Sequence, residues 1–190
     1  LNQAVQRISS LTLDMLEFSV TRKLKAEMVS LRKLFNELTS LQSERAQACK
    51  VAIVHVGVDT EDILVQSDAG QLFRCMLNLL DNAIQASPPG GKVVLSAALD
   101  RSPAALRRLG ITADCAVLVQ VSDQGTGVPD DVAKRIFDPF FSTKGSGGTG
   151  LGLAVARKIA RESFGELELG EKSSTGGATF TLYLPPSLTA

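Results

Sequence analysis

Apolar residues recur at helical spacing in the first part of the chain. Ala4, Ile8, Leu11, Met15 and Phe18 fall at intervals of 4, 3, 4 and 3, a heptad seam over two repeats. The same spacing serves an ordinary amphipathic helix, so it predicts a helix and leaves its partner open. "VTRKLKAE" interrupts the register. A second helix opens at Ser30, a good N-cap, with Leu31, Leu34, Phe35 and Leu38 inward, and it ends in "SERAQAC". From Lys50 the pattern shortens to alternation. "KVAIVHVGV" and "DILVQ" read as strands rich in β-branched residues. Asp68 caps a helix that runs to about Ala86, where "SPPGG" stops it. "GKVVLSAAL" and "CAVLVQVSD" are strands. The segment between them, "DRSPAALRRLGITAD", is long for a hairpin connection and reads as a decorated loop. "PDDVAKRIF" is a short helix, a longer one runs from about Gly150 to Ser163, and "GELELG" and "GATFTLYLP" are antiparallel strands.

Strands and helices that do not alternate strictly predict an α+β fold. The expectation is a two-layer α/β sandwich, its mixed and mostly antiparallel sheet covered by helices on one face and preceded by a helical segment.

Charge narrows the function classes. Twenty Lys and Arg balance twenty Asp and Glu, for a formal net charge of zero. No stretch is rich in Lys/Arg with interleaved aromatics, so nucleic acid and anionic membranes are poor partners. No run of about 18 apolar residues exists, so no segment is expected to span a bilayer. The chain does not begin with Met, and the opening reads as part of something larger. Cys49, Cys75 and Cys115 show no CxxC spacing. Structural zinc and disulfides are therefore not expected, and a reducing, cytoplasmic compartment fits.

Candidate chemistry starts at "FDPFFSTKGSGGTGLGL", residues 137–153, with five glycines between Gly145 and Gly152. "GSGGTG" matches GxGxxG, but no buried strand precedes it, as a dinucleotide fold needs. There is no GK[ST] for a Walker A loop. What remains is the general device: bare backbone N–H groups approach an anion, and a helix begins beside them with its positive end. The alternative is a plain Gly-rich surface loop.

The helix "QLFRCMLNLLDNAIQAS" adds a second signal. Half of its surface is apolar, and Gln71, Asn78, Asn82 and Gln85 align on one stripe beside that face. Aligned amides on a largely buried helix need partners, and an amide oxygen suits Mg²⁺. A third signal is Asp123, at the end of an apolar strand and followed by Gly125 and Gly127. It serves either an Asx turn or acceptance from a donor edge such as the amine of adenine.

In this order the motifs resemble the ATP-binding catalytic domain of sensor histidine kinases, within the group that includes gyrase, the mismatch-repair ATPase and the heat-shock chaperone ATPase. "NLLDNAIQA" (Asn78–Ala86) resembles the N box, "DQGTGVP" (Asp123–Pro129) the first glycine box and "IFDPFFSTK" (Ile136–Lys144) the F box. "GTGLGLAVA" (Gly148–Ala156) resembles the second glycine box, and "GGATFTLYLP" (Gly176–Pro185) the last glycine-rich segment. The resemblance runs from about Ser67 to Pro185.

The resemblance implies a Bergerat-type fold with ATP between the Asn helix and the sheet. It implies that Asn82 coordinates Mg²⁺ and that Asn78 is the catalytic amide at the metal and phosphate end. Asp123 would take the adenine amine, Gly125 and Gly127 would admit the base, and Thr179 would lie near it. Pro139 to Gly150 would form a lid anchored by Phe140 and Phe141. Gly148, Thr149, Gly150, Leu151, Gly152 and Leu153 would wrap the nucleotide, with Thr143 and Lys144 contacting phosphate. Gln85 belongs to the same set, although many members carry a basic residue there. "SFG" (Ser163–Gly165) replaces a common "HGG".

Residues 1–45 resemble, more loosely, the second helix of the dimerisation and phosphotransfer domain with its linker. The implied organisation is residues 1–24 for that helix and linker, and 25–190 for the catalytic domain. The implied partners are a phosphoacceptor-His helix elsewhere in the parent protein, a response regulator receiver domain and a second copy through the N-terminal helix. The parent would be cytoplasmic or membrane-anchored. The one histidine, His55, lies in "VAIVHVGV", where a strand position favours a structural role. Asn78 stands where gyrase-like ATPases carry a Glu that activates water, and an amide cannot take that proton. The expected activity is therefore ATP-dependent protein histidine kinase, with this chain inactive in autophosphorylation by itself. The alternative is a nucleotide-sensing scaffold without catalysis.

Overall fold

The structure, a computed structural model, describes residues 25–58, 62–109, 114–143, 148–170 and 176–186. The heptads of residues 4–18 lie outside them, as does Lys144. In chain order the elements are β1 (Glu27–Ser30), α1 (Leu31–Cys49), β2 (Ala52–Val56), β3 (Leu64–Ser67), α2 (Ala69–Ala86), β4 (Lys92–Asp100) and α3 (Pro103–Leu109). There follow β5 (Ala116–Ser122), α4 (Asp130–Ala133), α5 (Gly152–Glu162), β6 (Glu166–Leu169) and β7 (Thr179–Leu184).

The helix starts are where the caps predict them. Ser30 is extended and its Oγ accepts from the Lys33 N–H at 3.1 Å. Asp68 does the same for α2, with Oδ1 accepting from the Gln71 N–H at 3.0 Å. Each cap satisfies one backbone donor that the first helical turn leaves open. At the far end of α1, Lys50 turns left-handed at φ 56° and closes the helix.

Five strands form a mixed sheet in the order β2-β4-β5-β7-β6. β2 runs parallel to β4, and the remaining pairs are antiparallel. Val93 and Leu95 of β4, Val117, Val119 and Val121 of β5, and Leu182 and Leu184 of β7 point to one face. Onto that face pack Leu31, Phe35 and Leu38 of α1, the apolar arc of α2, and Val155 and Ile159 of α5, all in one continuous core. A side chain of this size contributes roughly 1.5–3 kcal/mol when fully buried. The packing of three helices on one sheet face thus holds the mixed sheet together.

Three elements differ from the sequence expectation. β1 was not predicted; it exists through antiparallel pairing of Glu27–Ser30 with Leu64–Ser67 in a separate two-stranded sheet. "DRSPAALRRLGITAD" is not merely a loop, because it contains α3. That helix sits on the opposite face of the sheet, where Ala105 and Leu109 bury Ala116 against Leu118 and Tyr183. Arg108 clamps it, with its guanidinium 5.1 Å from the Tyr183 ring centroid and its Nε donating to Glu168 at 2.6 Å. In "PDDVAKRIF" only Asp130–Ala133 are helical, and turns complete the segment.

His55 has the structural environment that its strand position favours. Its Nε2 is 2.8 Å from Thr39 Oγ1 on α1, and its ring lies 5.6 Å from that of Phe35.

Candidate functional site

A cavity of about 760 Å³ opens between α2, the first turn of α5 and the ends of β5 and β7. Its size is that of a small-molecule site.

α2 supplies one wall. Asn78, Asp81, Asn82 and Gln85 line the cavity, while Gln71, at the start of the same stripe, does not. The reason is length: Gln71 lies two turns before Asn78, about 10 Å along the axis. The Nδ2 of Asn78 is buried and has no hydrogen-bond partner among the described residues. A buried amide N–H left in this way costs about 1–3 kcal/mol, which a ligand acceptor would relieve. Gly152 faces it: a Cβ there would lie 3.7 Å from the Asn78 Oδ1. The amide therefore sits at the head of α5, where the backbone N–H groups of the first turn favour an anion.

Asp123 closes the opposite end. It is only 7% exposed. Its Oδ1 accepts from the Gly125 N–H at 2.8 Å and the Ala178 N–H at 3.1 Å. The second carboxylate oxygen takes no partner among the described residues. This oxygen remains as an acceptor beside a cavity whose neighbouring walls, Val128, Ile136 and Phe180, are apolar. A flat heterocycle with an exocyclic amine matches that combination.

The glycines after Asp123 serve the backbone first. A Cβ on Gly125 would come within 2.5 Å of the Ala86 carbonyl oxygen, and one on Gly127 within 2.9 Å of the Gly177 carbonyl oxygen. They let α2, the β5 end and the β7 start approach each other. Gly127 lines the cavity and Gly125 does not. Thr179 is also not at the cavity. Strand alternation turns it to the other face of the sheet, where its Oγ1 lies 2.9 Å from Ser122 Oγ, and Ala178 and Phe180 take the cavity side.

The expected lid is described at its two ends. Thr143, Gly148, Thr149, Gly150 and Leu153 all line the cavity. Leu151 instead is fully buried in the core and precedes α5, its N–H donating to Thr149 Oγ1 at 3.3 Å. Phe141 packs on the core, lines the cavity and carries the Arg135 guanidinium 4.6 Å from its ring centroid. Phe140 is not an anchor here, since it is 63% exposed and its backbone turns left-handed at φ 65°.

Sequence reasoning missed Arg45. It lines the cavity from α1, with Nη1 2.6 Å from Asp81 Oδ1. Gln85 Nε2 donates to the other Asp81 oxygen at 3.0 Å. Nothing in the local sequence marks Arg45, because only the packing of α1 on α2 brings it to the site.

The family described as histidine kinase-, DNA gyrase B-, and HSP90-like ATPase matches residues 67–188. The sensor histidine kinase ZraS of Escherichia coli (strain K12) is 32% identical over 183 residues, covering 96% of this chain and 36% of the relative. Full-length ShkA, solved in complex with AMPPNP, superposes with a TM-score of 0.79 at 26% identity, covering 99% of this chain and 38% of that one. The histidine kinase ThkA, solved in complex with the response regulator protein TrrA, gives a TM-score of 0.74 at 25% identity, covering 97% of this chain and 49% of that one. The chain thus spans well under half the length of the curated relatives it matches. With a mixed five-stranded sheet, three helices on one face and the N-box asparagines on its cavity wall, the chain belongs to the histidine kinase-, DNA gyrase B- and HSP90-like ATPase family, as a sensor histidine kinase ATP-binding catalytic domain.

Proposed function

We propose that this domain holds ATP with Mg²⁺ in the cavity and positions the γ-phosphoryl group for transfer to a histidine outside the domain. The observation that carries the proposal is Asn78: an orphaned buried amide N–H at the head of α5, in the same cavity as the half-engaged carboxylate of Asp123. The unpartnered Asp123 oxygen would accept from the adenine amine. Backbone N–H groups of Gly148, Gly150 and Gly152 would donate to phosphate oxygens, as helix starts do.

Among the described residues no three His, Cys, Asp or Glu side chains come together to hold a metal ion. A cation would instead arrive with the nucleotide, held by the Asn82 amide oxygen and phosphate oxygens, as Mg²⁺ commonly is. When bound, Mg²⁺ would supply charge neutralisation at the β- and γ-phosphates. The chain's own work is to bind and orient. Asn78 cannot act as a proton acceptor, so water is not activated and hydrolysis stays slow. An imidazole arriving in line needs no strong base, and rate comes from positioning.

The whole protein would be a two-component sensor kinase that passes the phosphoryl group to a response regulator receiver domain. ThkA, a structural neighbour solved with its response regulator, supports that partner. The domain would work in the cytoplasm, whether or not its parent is anchored; among the described residues no helix is long and apolar enough to cross a membrane. Residues 1–24 would carry part of the dimerisation and phosphotransfer helix with its linker, and the catalytic domain would begin near residue 25. Calorimetry tests the proposal. ATP should bind, Mg²⁺ should tighten binding, and Asn82→Ala should remove most of that Mg²⁺ effect. Well-folded protein that binds no ATP would overturn it.

A further inference from the structure

The charged groups that line the cavity among the described residues are Arg45, Asp81 and Asp123. Two of the three are acidic, and a triphosphate is strongly anionic. Asp123 sits at the apolar end, beside Ala86 and Phe180, where a base would lie. The remaining pair, Arg45 and Asp81, lies along the polar wall.

Asp81 comes three residues after Asn78 on α2, about 4.5 Å further along the helix. This places the pair between the Asn78 end of the cavity and the Asp123 end. A chain of phosphates running from the base toward the head of α5 would pass it. Arg45 is tethered rather than sequestered. Its Nη1 meets Asp81 at 2.6 Å, while its side chain remains 46% exposed. A guanidinium carries five N–H donors in a fixed plane, and one such contact leaves others to serve an anion. Asp81 is itself steadied by Gln85 at 3.0 Å and by Gln42 of α1 at 3.5 Å. The carboxylate thus tethers the guanidinium at the cavity wall.

We infer that Arg45, on α1, is a phosphate-contacting residue of the nucleotide site, oriented by Asp81. The inference rests on the proposed ATP function and adds to it. It gives the site a cation from outside the N box, the glycine boxes and the F box. The contact falls on the inner phosphates, so ADP shares it and adenosine lacks it.

The experiment is calorimetric titration of the full chain with Mg-ATP, Mg-ADP and adenosine, for wild type, Arg45→Gln and Arg45→Lys, at low and moderate salt. Arg45→Gln should weaken ATP and ADP about tenfold, the scale of one charge-assisted hydrogen bond at a half-exposed position. Adenosine affinity should not change. Arg45→Lys should recover part of the loss, because the charge remains and the fork does not. The loss should shrink as salt screens the charge. Equal ATP affinity in wild type and Arg45→Gln would overturn the inference and leave the ATP site standing. An equal loss for adenosine would also overturn it, by showing that Arg45 supports cavity shape instead. Wild type that binds none of the three would remove the ATP reading itself.

Discussion

Gly150 sits directly on the backbone of Phe140: a Cβ at Gly150 would meet the Phe140 carbonyl carbon at 2.5 Å and its oxygen at 2.7 Å. Both residues are left-handed, Gly150 at φ 67° and Phe140 at φ 65°. The two ends of the expected lid are thus crossed against each other just before α5. Only glycine gives that approach, since the other party is backbone and cannot swing away. Gly150→Ala should therefore misplace the start of α5 and the Asn78 contact. The expected result is a loss of ATP affinity of tenfold or more, together with a loss of stability on the order of 1–3 kcal/mol. Paired titration and chemical denaturation measure both, and unchanged ATP affinity would refute the crossing as a requirement.

Asp123 would carry two roles that substitution can separate. Its Oδ1 holds the N–H groups of Gly125 and Ala178, and under the proposed function its other oxygen would accept from the base. Asp123→Asn can keep the first role through its amide oxygen, while placing a donor where an acceptor stood. It should reduce the preference for ATP over GTP with little change in melting temperature. Asp123→Ala strands both N–H groups and should cost about 1–3 kcal/mol per buried group left unpaired. Competition between ATP and GTP, with a thermal melt for each variant, checks the separation.

Glu166 ties α5 to β6. Its Oε1 accepts from Arg157 at 2.8 Å and its Oε2 from Arg161 at 3.0 Å. Partial burial raises its carboxyl, but the hydrogen bonds from Arg157, Arg161 and the Leu167 N–H outweigh this and hold it below the ordinary glutamate range. A carboxyl depressed in the folded state adds stability above the unfolded value, about 4.3, and loses it as pH falls further through the folded value. Wild type should therefore lose stability progressively in that acid window. Glu166→Gln should be less stable at pH 7 and show a flatter acid limb. Denaturant midpoints from pH 7 to pH 3 give the comparison, and parallel curves would dismiss the linkage.

Much of this was legible in the sequence, and the exceptions share a cause. Ser30 and Asp68 announced two helices because caps are local chemistry. The β-branched run of β4 and the alternating valines of β5 gave strands because one face is buried. β1 was not legible, since "EMVS" becomes a strand only by pairing with Leu64–Ser67. α3 was hidden in a segment whose length spoke for a loop. Its short apolar face has meaning only against Leu118 and Tyr183. At the site, Asn78 and Asn82 stood out through their helical spacing, and Asp123 only through the family resemblance; all three line the cavity. Thr179 was misjudged because one step in strand register reverses the face, so Ala178 and Phe180 take the cavity side. Arg45 was invisible because its place depends on how one helix packs against another.

His55 is the only histidine in the sequence, and its position argues that this chain cannot phosphorylate itself. The imidazole is half-buried on β2, its Nε2 engaged with Thr39 on α1 and its ring against Phe35. It is not among the residues that line the cavity. A phosphoacceptor nitrogen must be exposed and must approach the γ-phosphate in line with its leaving oxygen. For His55 that would mean separating α1 from β2 and disrupting the packing of Phe35, which is fully buried. Incubation with γ-labelled ATP should therefore leave no acid-labile label on this chain. His55→Gln, which can keep a hydrogen bond to Thr39, should bind ATP as well as wild type. Adding a helical fragment that carries an exposed histidine should let label appear on the fragment. Stoichiometric label on His55 would refute the argument, because it would require the helix–strand contact to open in the working protein.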